Sequence, residues 1–214
     1  MNLIKHLRTL LLAVAAGFCI GIGGTVFLMQ TDKFAGAFLF SVGLLTILIF
    51  KFNLFTGMVG YLSDRLFEKE WGYLFSLVLV WIGNFLGTGL VAALVRLTRL
   101  GTQLSIKSLS LVETKLADRW YSLLILGVFC GMLMYIAVDT YKKNIGTKDF
   151  LCCIAVFMGV MVFILAGFEH SIADMFYFVL SGKTLESLGA LAFITLGNAI
   201  GGNLIPLTHR LVKE

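Results

Sequence analysis

Two of the six apolar segments in this chain are interrupted in the middle, at 52–57 (Phe-Asn-Leu-Phe-Thr-Gly) and 167–171 (Gly-Phe-Glu-His-Ser). The interruptions lie 114 residues apart, so that Thr56 maps onto His170. The same offset carries Gly83-Asn84-Phe85-Leu86-Gly87 onto Gly197-Asn198-Ala199-Ile200-Gly201, and Gly17 onto Gly131. Unwound backbone at membrane depth is tolerated only where it is packed in protein or lines a cavity. Paired interruptions in an internal repeat therefore point to a binding or permeation site near the bilayer midplane, and to transport.

Composition supports a membrane setting. Of the 214 residues, 59% are hydrophobic and 14% charged, against about 25% charged in soluble domains. The length suits one channel domain spanning 1–214, with repeat one at about 10–95 and repeat two at about 120–208. The net charge of +5 does not indicate nucleic acid, because the basic residues are scattered between apolar runs. The cysteines (Cys19, Cys130, Cys152, Cys153) all lie inside apolar runs without metal-site spacing, so no metal or cofactor is expected. The stretch behind Lys5 and Arg8 runs to Met29. That is too long for a signal-peptide core of roughly 7–15 residues, so it reads as the first span.

A span needs roughly 20 residues. The six candidates are 10–30, 34–62, 72–95, 120–138, 150–180 and 187–208, the second and fifth being broken. Residues 96–119 read as the linker between repeats. Three spans per repeat make the second copy inverted relative to the first. With both termini inside, the inner side holds nine basic residues (Lys5, Arg8, Arg65, Lys69, Lys142, Lys143, Lys148, Arg210, Lys213). The outer side holds Lys33 and Lys183 plus five in the linker. Leaving the linker aside, this distribution places the termini in the cytoplasm. Glycines at 17 and 21, 83–89 and 197–202 allow close helix approach.

The second interruption carries the stronger chemical signal. Glu169, His170 and Asp174 lie in apolar surroundings, where each ionised group costs about 2.5–3.5 kcal/mol even on the mild insertion scale. Ser171 and Asp174 match a capping box for a restarting helix, which assigns Asp174 to capping and leaves His170 as the gate. In the first interruption Asn53 or Thr56 is expected to cap the new half-helix. Buried Asn84 and Asn198 need partners, and the backbones of the two interruptions are the expected ones. Lys115, just before the fourth span, is by itself an ordinary interface lysine.

At these residues the chain resembles the formate/nitrite transporter family, which includes formate, nitrite and hydrosulfide channels. Leu54-Phe55-Thr56 resembles the family's first re-entrant loop, 167–176 (GFEHSIADMF) is nearly identical to its signature GFEHSIANMF, and 195–202 (TLGNAIGG) matches its last-helix signature. The resemblance implies an all-α, aquaporin-like membrane fold of six helices, with two broken helices, and a homopentamer with one pore per protomer. It makes His170 the central histidine and Thr56 its partner, with Glu169, Asn198 and Lys115 beside them. It also makes Phe40, Leu44, Leu54, Phe55 and Phe163 the candidates for two apolar constrictions. Gly131, where the family usually has Asn, and Asp174, which replaces the Asn of the signature, depart from the pattern.

The function this implies is a channel or proton-linked transporter in the inner (plasma) membrane. Its substrate is a small monovalent anion, formate first, with nitrite or hydrosulfide as alternatives. A desolvated anion is costly unless paired or protonated. Outside the family, a neutral-solute pore lacks the Asn-Pro-Ala motif expected of it, and an enzyme built on Glu169 and His170 lacks a second polar cluster, so none is expected.

Overall fold

Ten α-helices make up the computed structural model, which describes residues 2–213 and contains no strand among them. They are α1 (Asn2–Met29), α2 (Lys33–Ile49), α3 (Phe55–Met58), α4 (Leu62–Phe67), α5 (Gly72–Arg96), α6 (Gly101–Leu116), α7 (Trp120–Asn144), α8 (Asp149–Ala166), α9 (Ser171–Ser181) and α10 (Leu188–Lys213). A 3-10 turn at Val59–Tyr61 joins α3 to α4. Five helices (α1, α5, α7, α8 and α10) are long and apolar enough to cross a membrane, while α2 and α9 are shorter apolar helices. The expected second span at 34–62 is accordingly a 17-residue helix followed, after the break, by three short pieces rather than one half-helix.

The expected linker at 96–119 also differs. Most of it folds into α6, which buries Gly101, Leu104, Ser108 and Val112 on one face. That face packs on α9, where Ser108 donates to the Tyr177 carbonyl at 2.8 Å, and Lys107 reaches the Leu28 carbonyl at 2.7 Å. The spacings of three and four between those buried positions are helical, but with Gly101 and Ser108 among them the face carries little hydropathy signal.

The long helices pair as the glycines require. A Cβ on Gly17 would lie 2.2 Å from the Asn84 carbonyl oxygen, and one on Gly131 would lie 2.2 Å from that of Asn198. The α1–α5 contact and the α7–α10 contact are thus built alike, with the 114-residue offset preserved. Gly131, the departure noted above, is explained by this contact: no side chain fits at that helix separation.

The breaks keep a different register. Phe52 N–H donates to the Ile47 carbonyl and Phe168 N–H to that of Phe163. Asn53 N–H donates to Leu12 and Glu169 N–H to Leu126. Lys51 and Gly167 both take the left-handed conformation, with φ of 56° and 74°. Each of these loop pairs is separated by 116 residues, as are the starts of α2 and α8, two more than the offset that relates α1 and α5 to α7 and α10. The structural counterpart of His170 is therefore Leu54, and that of Thr56 is Ile172.

Candidate functional site

The two breaks are held open by matched asparagines. Asn84 Oδ1 accepts from Phe55 N–H at 2.8 Å, and its amide donates to the carbonyls of Ala13 and Asn53. Asn198 Oδ1 accepts from Ser171 N–H at 2.9 Å, and its amide donates to Gly127 and Glu169. Each side chain uses its acceptor and one donor on loop backbone that a continuous helix would have satisfied internally, and its other donor on a carbonyl of α1 or α7. Asn203, not among the expected site residues, does similar work one turn beyond. It accepts from Ser63 N–H and donates to the Val59 carbonyl, pinning the 3-10 turn. An amide five residues after Asn198 in an apolar helix was the available signal.

Capping falls to different residues than the sequence suggested. His170, in extended conformation, is the N-cap of α9, and its Nδ1 accepts from Ala173 N–H at 3.1 Å. Ser171 and Asp174 form no capping box: the Ser171 hydroxyl finds no hydrogen-bond partner and Asp174 turns away from the backbone. A histidine can take the place because an unprotonated ring nitrogen accepts as a serine oxygen does. In the first break the N-cap is Leu54, without any side-chain bond. Neither Asn53 nor Thr56 caps there; Asn53 donates to the Thr9 carbonyl instead.

Thr56 Oγ1 and His170 Nε2 lie 2.9 Å apart, both buried. Because Nδ1 accepts the Ala173 amide proton, the ring's hydrogen sits on Nε2, which donates to Thr56. The Thr56 hydroxyl hydrogen remains free to donate elsewhere. Phe163 stacks on the imidazole at 5.2 Å between centroids, and Phe40 meets Phe163 edge-on at 6.1 Å.

His170, Phe40 and Phe163 line a cavity of about 130 Å³ whose polar wall holds Lys33, Lys115 and Asp174. On the other side of the Thr56–His170 pair, Leu44, Leu54 and Gly57 line a narrow space of about 30 Å³. That space shares Phe52, Met58 and Lys142 with a cleft of about 740 Å³ bearing Lys51, Arg65 and Lys143 as well as Asp139. Four of the five expected constriction residues thus fall on the two sides of the pair. Phe55 does not join them: it faces an apolar groove with Trp81 and Thr195.

Lys115 is not a surface lysine. It sits at the end of α6, ion-paired with Glu169 and, at 3.0 Å, with Asp174 Oδ1. All three side chains are largely buried, at 15%, 7% and 3% exposure, so this is one fixed cluster and not a screened approach surface.

Interrupted helices that meet inside a bundle of apolar helices, between two cavities with basic walls, define a multi-pass membrane protein of the transporter and channel class. The chain belongs to the formate/nitrite transporter family, whose description "Formate/nitrite transporter" matches residues 2–210. It is 31% identical to the uncharacterized transporter YwcJ of Bacillus subtilis over 92% of this chain and 83% of that one. It is 28% identical to the formate channel FocA of Escherichia coli K12, over 95% and 81% of the two chains. To the nitrite transporter NirC of the same strain it is 28% identical over 76% and 65%. The fold matches a solved pentameric formate channel with formate bound, at TM-score 0.77 and 22% identity over 98% of both chains.

Proposed function

We propose that the chain forms one pore per protomer of a homopentamer in the inner (plasma) membrane, with cytoplasmic termini, and passes small monovalent anions. Formate is the first candidate, and nitrite and hydrosulfide are the alternatives. The observation that carries this reading is the Thr56–His170 contact, which stands between two cavities with cationic walls. Formate channels among the relatives and the formate-bound structural neighbour support formate. NirC keeps nitrite in view. The whole chain, 1–214, serves as one channel domain of two inverted repeats. Support for the inversion comes from Trp81 and Thr195, equivalent positions of α5 and α10, whose side chains meet at 3.3 Å, as equivalent groups beside a two-fold axis do.

In this reading Phe40 and Phe163 form one apolar ring and Leu44 and Leu54 the other, with His170 and Thr56 between them as the central gate. The rings strip water from the anion, which is costly unless a donor or a proton replaces that water. The free Thr56 hydroxyl hydrogen is the donor in place. A second proton on His170 would occupy Nδ1 and displace the Ala173 N–H, so the pair acts as a fixed neutral donor at rest. Lys115 and Glu169 hold the backbone of the second break in position, and Asn198 braces it.

The test is purified protein in proteoliposomes, presented with formate, nitrite, hydrosulfide and glycerol in turn. Saturable entry of at least one anion, with no swelling in glycerol, is expected. Swelling in glycerol without anion entry would identify a neutral-solute pore instead.

A further inference from the structure

The cluster beside the cavity has one cation and two carboxylates. Lys115 is shared between Glu169 and Asp174 Oδ1, which leaves Asp174 Oδ2 buried with no hydrogen-bond partner. Asp174 is 2% exposed, and of the two carboxylates it alone lines the cavity that also holds His170. The groups facing it are Lys115 from α6, Glu169 and His170 from the break, Cys130 from α7, Tyr177 one turn along α9, and Lys33 across the cavity. None of these neighbours supplies a donor to Oδ2, whereas the Glu169 carboxylate lies within hydrogen-bonding reach of Asp174 and accepts from it when Asp174 carries a proton. Lys115 balances one carboxylate, and the one negative charge left over at this depth would repel the anion that the cavity is proposed to admit.

We propose that Asp174 Oδ2 is an exchangeable proton site and hands its proton to the entering anion. The step is balanced: the O–H bond at Asp174 breaks as an O–H bond forms on formate, giving formic acid and an ionised Asp174. The neutral acid passes the Phe40–Phe163 ring and the Thr56–His170 pair, then releases its proton to water in the far cleft. A proton from solution on the entry side returns to Asp174. One proton and one anion cross together, with no net charge moved. This assignment rests on the pore reading above and gives that pore its proton. It places the donor at Asp174 because His170 has its Nδ1 committed to Ala173 and its Nε2–H committed to Thr56.

The experiment records formate entry and lumenal pH together in proteoliposomes of wild type, Asp174→Asn and Asp174→Glu at neutral pH. In wild type, the lumen should acidify in step with formate. Asp174→Asn, nearly isosteric, should slow formate entry about tenfold and abolish the accompanying acidification, while Asp174→Glu retains both. Asp174→Asn with the wild-type rate and the wild-type acidification would overturn the proposal. The infrared spectrum of the purified protein gives a readout independent of flux. A protonated-carboxyl band present in wild type and missing in Asp174→Asn is expected, and its absence from wild type at neutral pH would also overturn the proposal. Should wild type pass none of the three anions, the pore reading fails, and the infrared band alone decides whether Asp174 holds a proton.

Discussion

The two breaks share a scaffold and differ in chemistry. Both place a left-handed residue, a backbone bond to the preceding helix and an extended N-cap in the same order, and both are braced by an asparagine from a long helix. Yet the first break presents Lys51, Asn53 and Leu54 where the second presents Gly167, Glu169 and His170. The first therefore supplies shape and one hydroxyl, from Thr56. The second supplies the imidazole, the ion cluster and the unpartnered carboxylate oxygen. A repeat can thus keep its backbone solution while only one copy carries a buried ion cluster, because the bracing bonds run to main-chain atoms that any side chain leaves in place.

The comparison is broken most directly at the cluster, which has no equivalent in the first break. Lys115→Ala should destabilise the protein by about 3–5 kcal/mol, because it leaves buried carboxylates without their cation. Thermal unfolding in detergent at low and high salt checks this. The loss should persist at high salt, and a loss that vanishes there would return Lys115 to the role of an exposed interface lysine.

The shared bracing predicts symmetry. Asn84→Ala and Asn198→Ala should each cost about 3 kcal/mol, since each strands a buried loop N–H and a loop carbonyl at about 1–3 kcal/mol apiece. Unfolding temperatures of the two variants should fall by similar amounts. A large drop in one alone would show that the breaks are not equivalently held.

The smallest effect sharpens the register. Lys51 pays the steric cost of a left-handed conformation that Gly167 avoids. Lys51→Gly should therefore stabilise by up to about 1 kcal/mol, and Gly167→Ala should destabilise by about 1–2 kcal/mol. Opposite signs in the same unfolding assay support the 116-residue pairing of the loops, whereas equal signs would count against it.

Much of this was legible in the residues. Polar groups and glycine inside apolar runs located both breaks, and the repeated Gly-Asn pairs identified the braces, because such residues are tolerated at that depth only with a partner. The Thr56–His170 contact was also anticipated, but from an offset that the loops do not keep: the two residues meet without being equivalent. What the sequence hid was long-range. Nothing local distinguishes Lys115 from an interface lysine, since its partners lie 54 and 59 residues away. Ser171 and Asp174 fitted a capping pattern that His170 fills instead, because Lys115 draws the carboxylate away from the backbone. Helix α6 escaped notice because its buried face uses Gly101 and Ser108 as much as leucine and valine.

The central claim is that a small anion, with or without its proton, is carried between the two breaks at Thr56 and His170. The measurement that tests it most directly is the initial rate of labelled formate entry into proteoliposomes of wild type, His170→Asn and Thr56→Ala. His170→Asn keeps a residue able to cap α9 but loses the Phe163 stack and the Nε2 donor, so entry should change about tenfold. Thr56→Ala removes one hydrogen bond of about 1 kcal/mol and should change entry about fivefold. Equal rates in all three proteins, or wild-type entry no faster than into protein-free vesicles, would contradict the account.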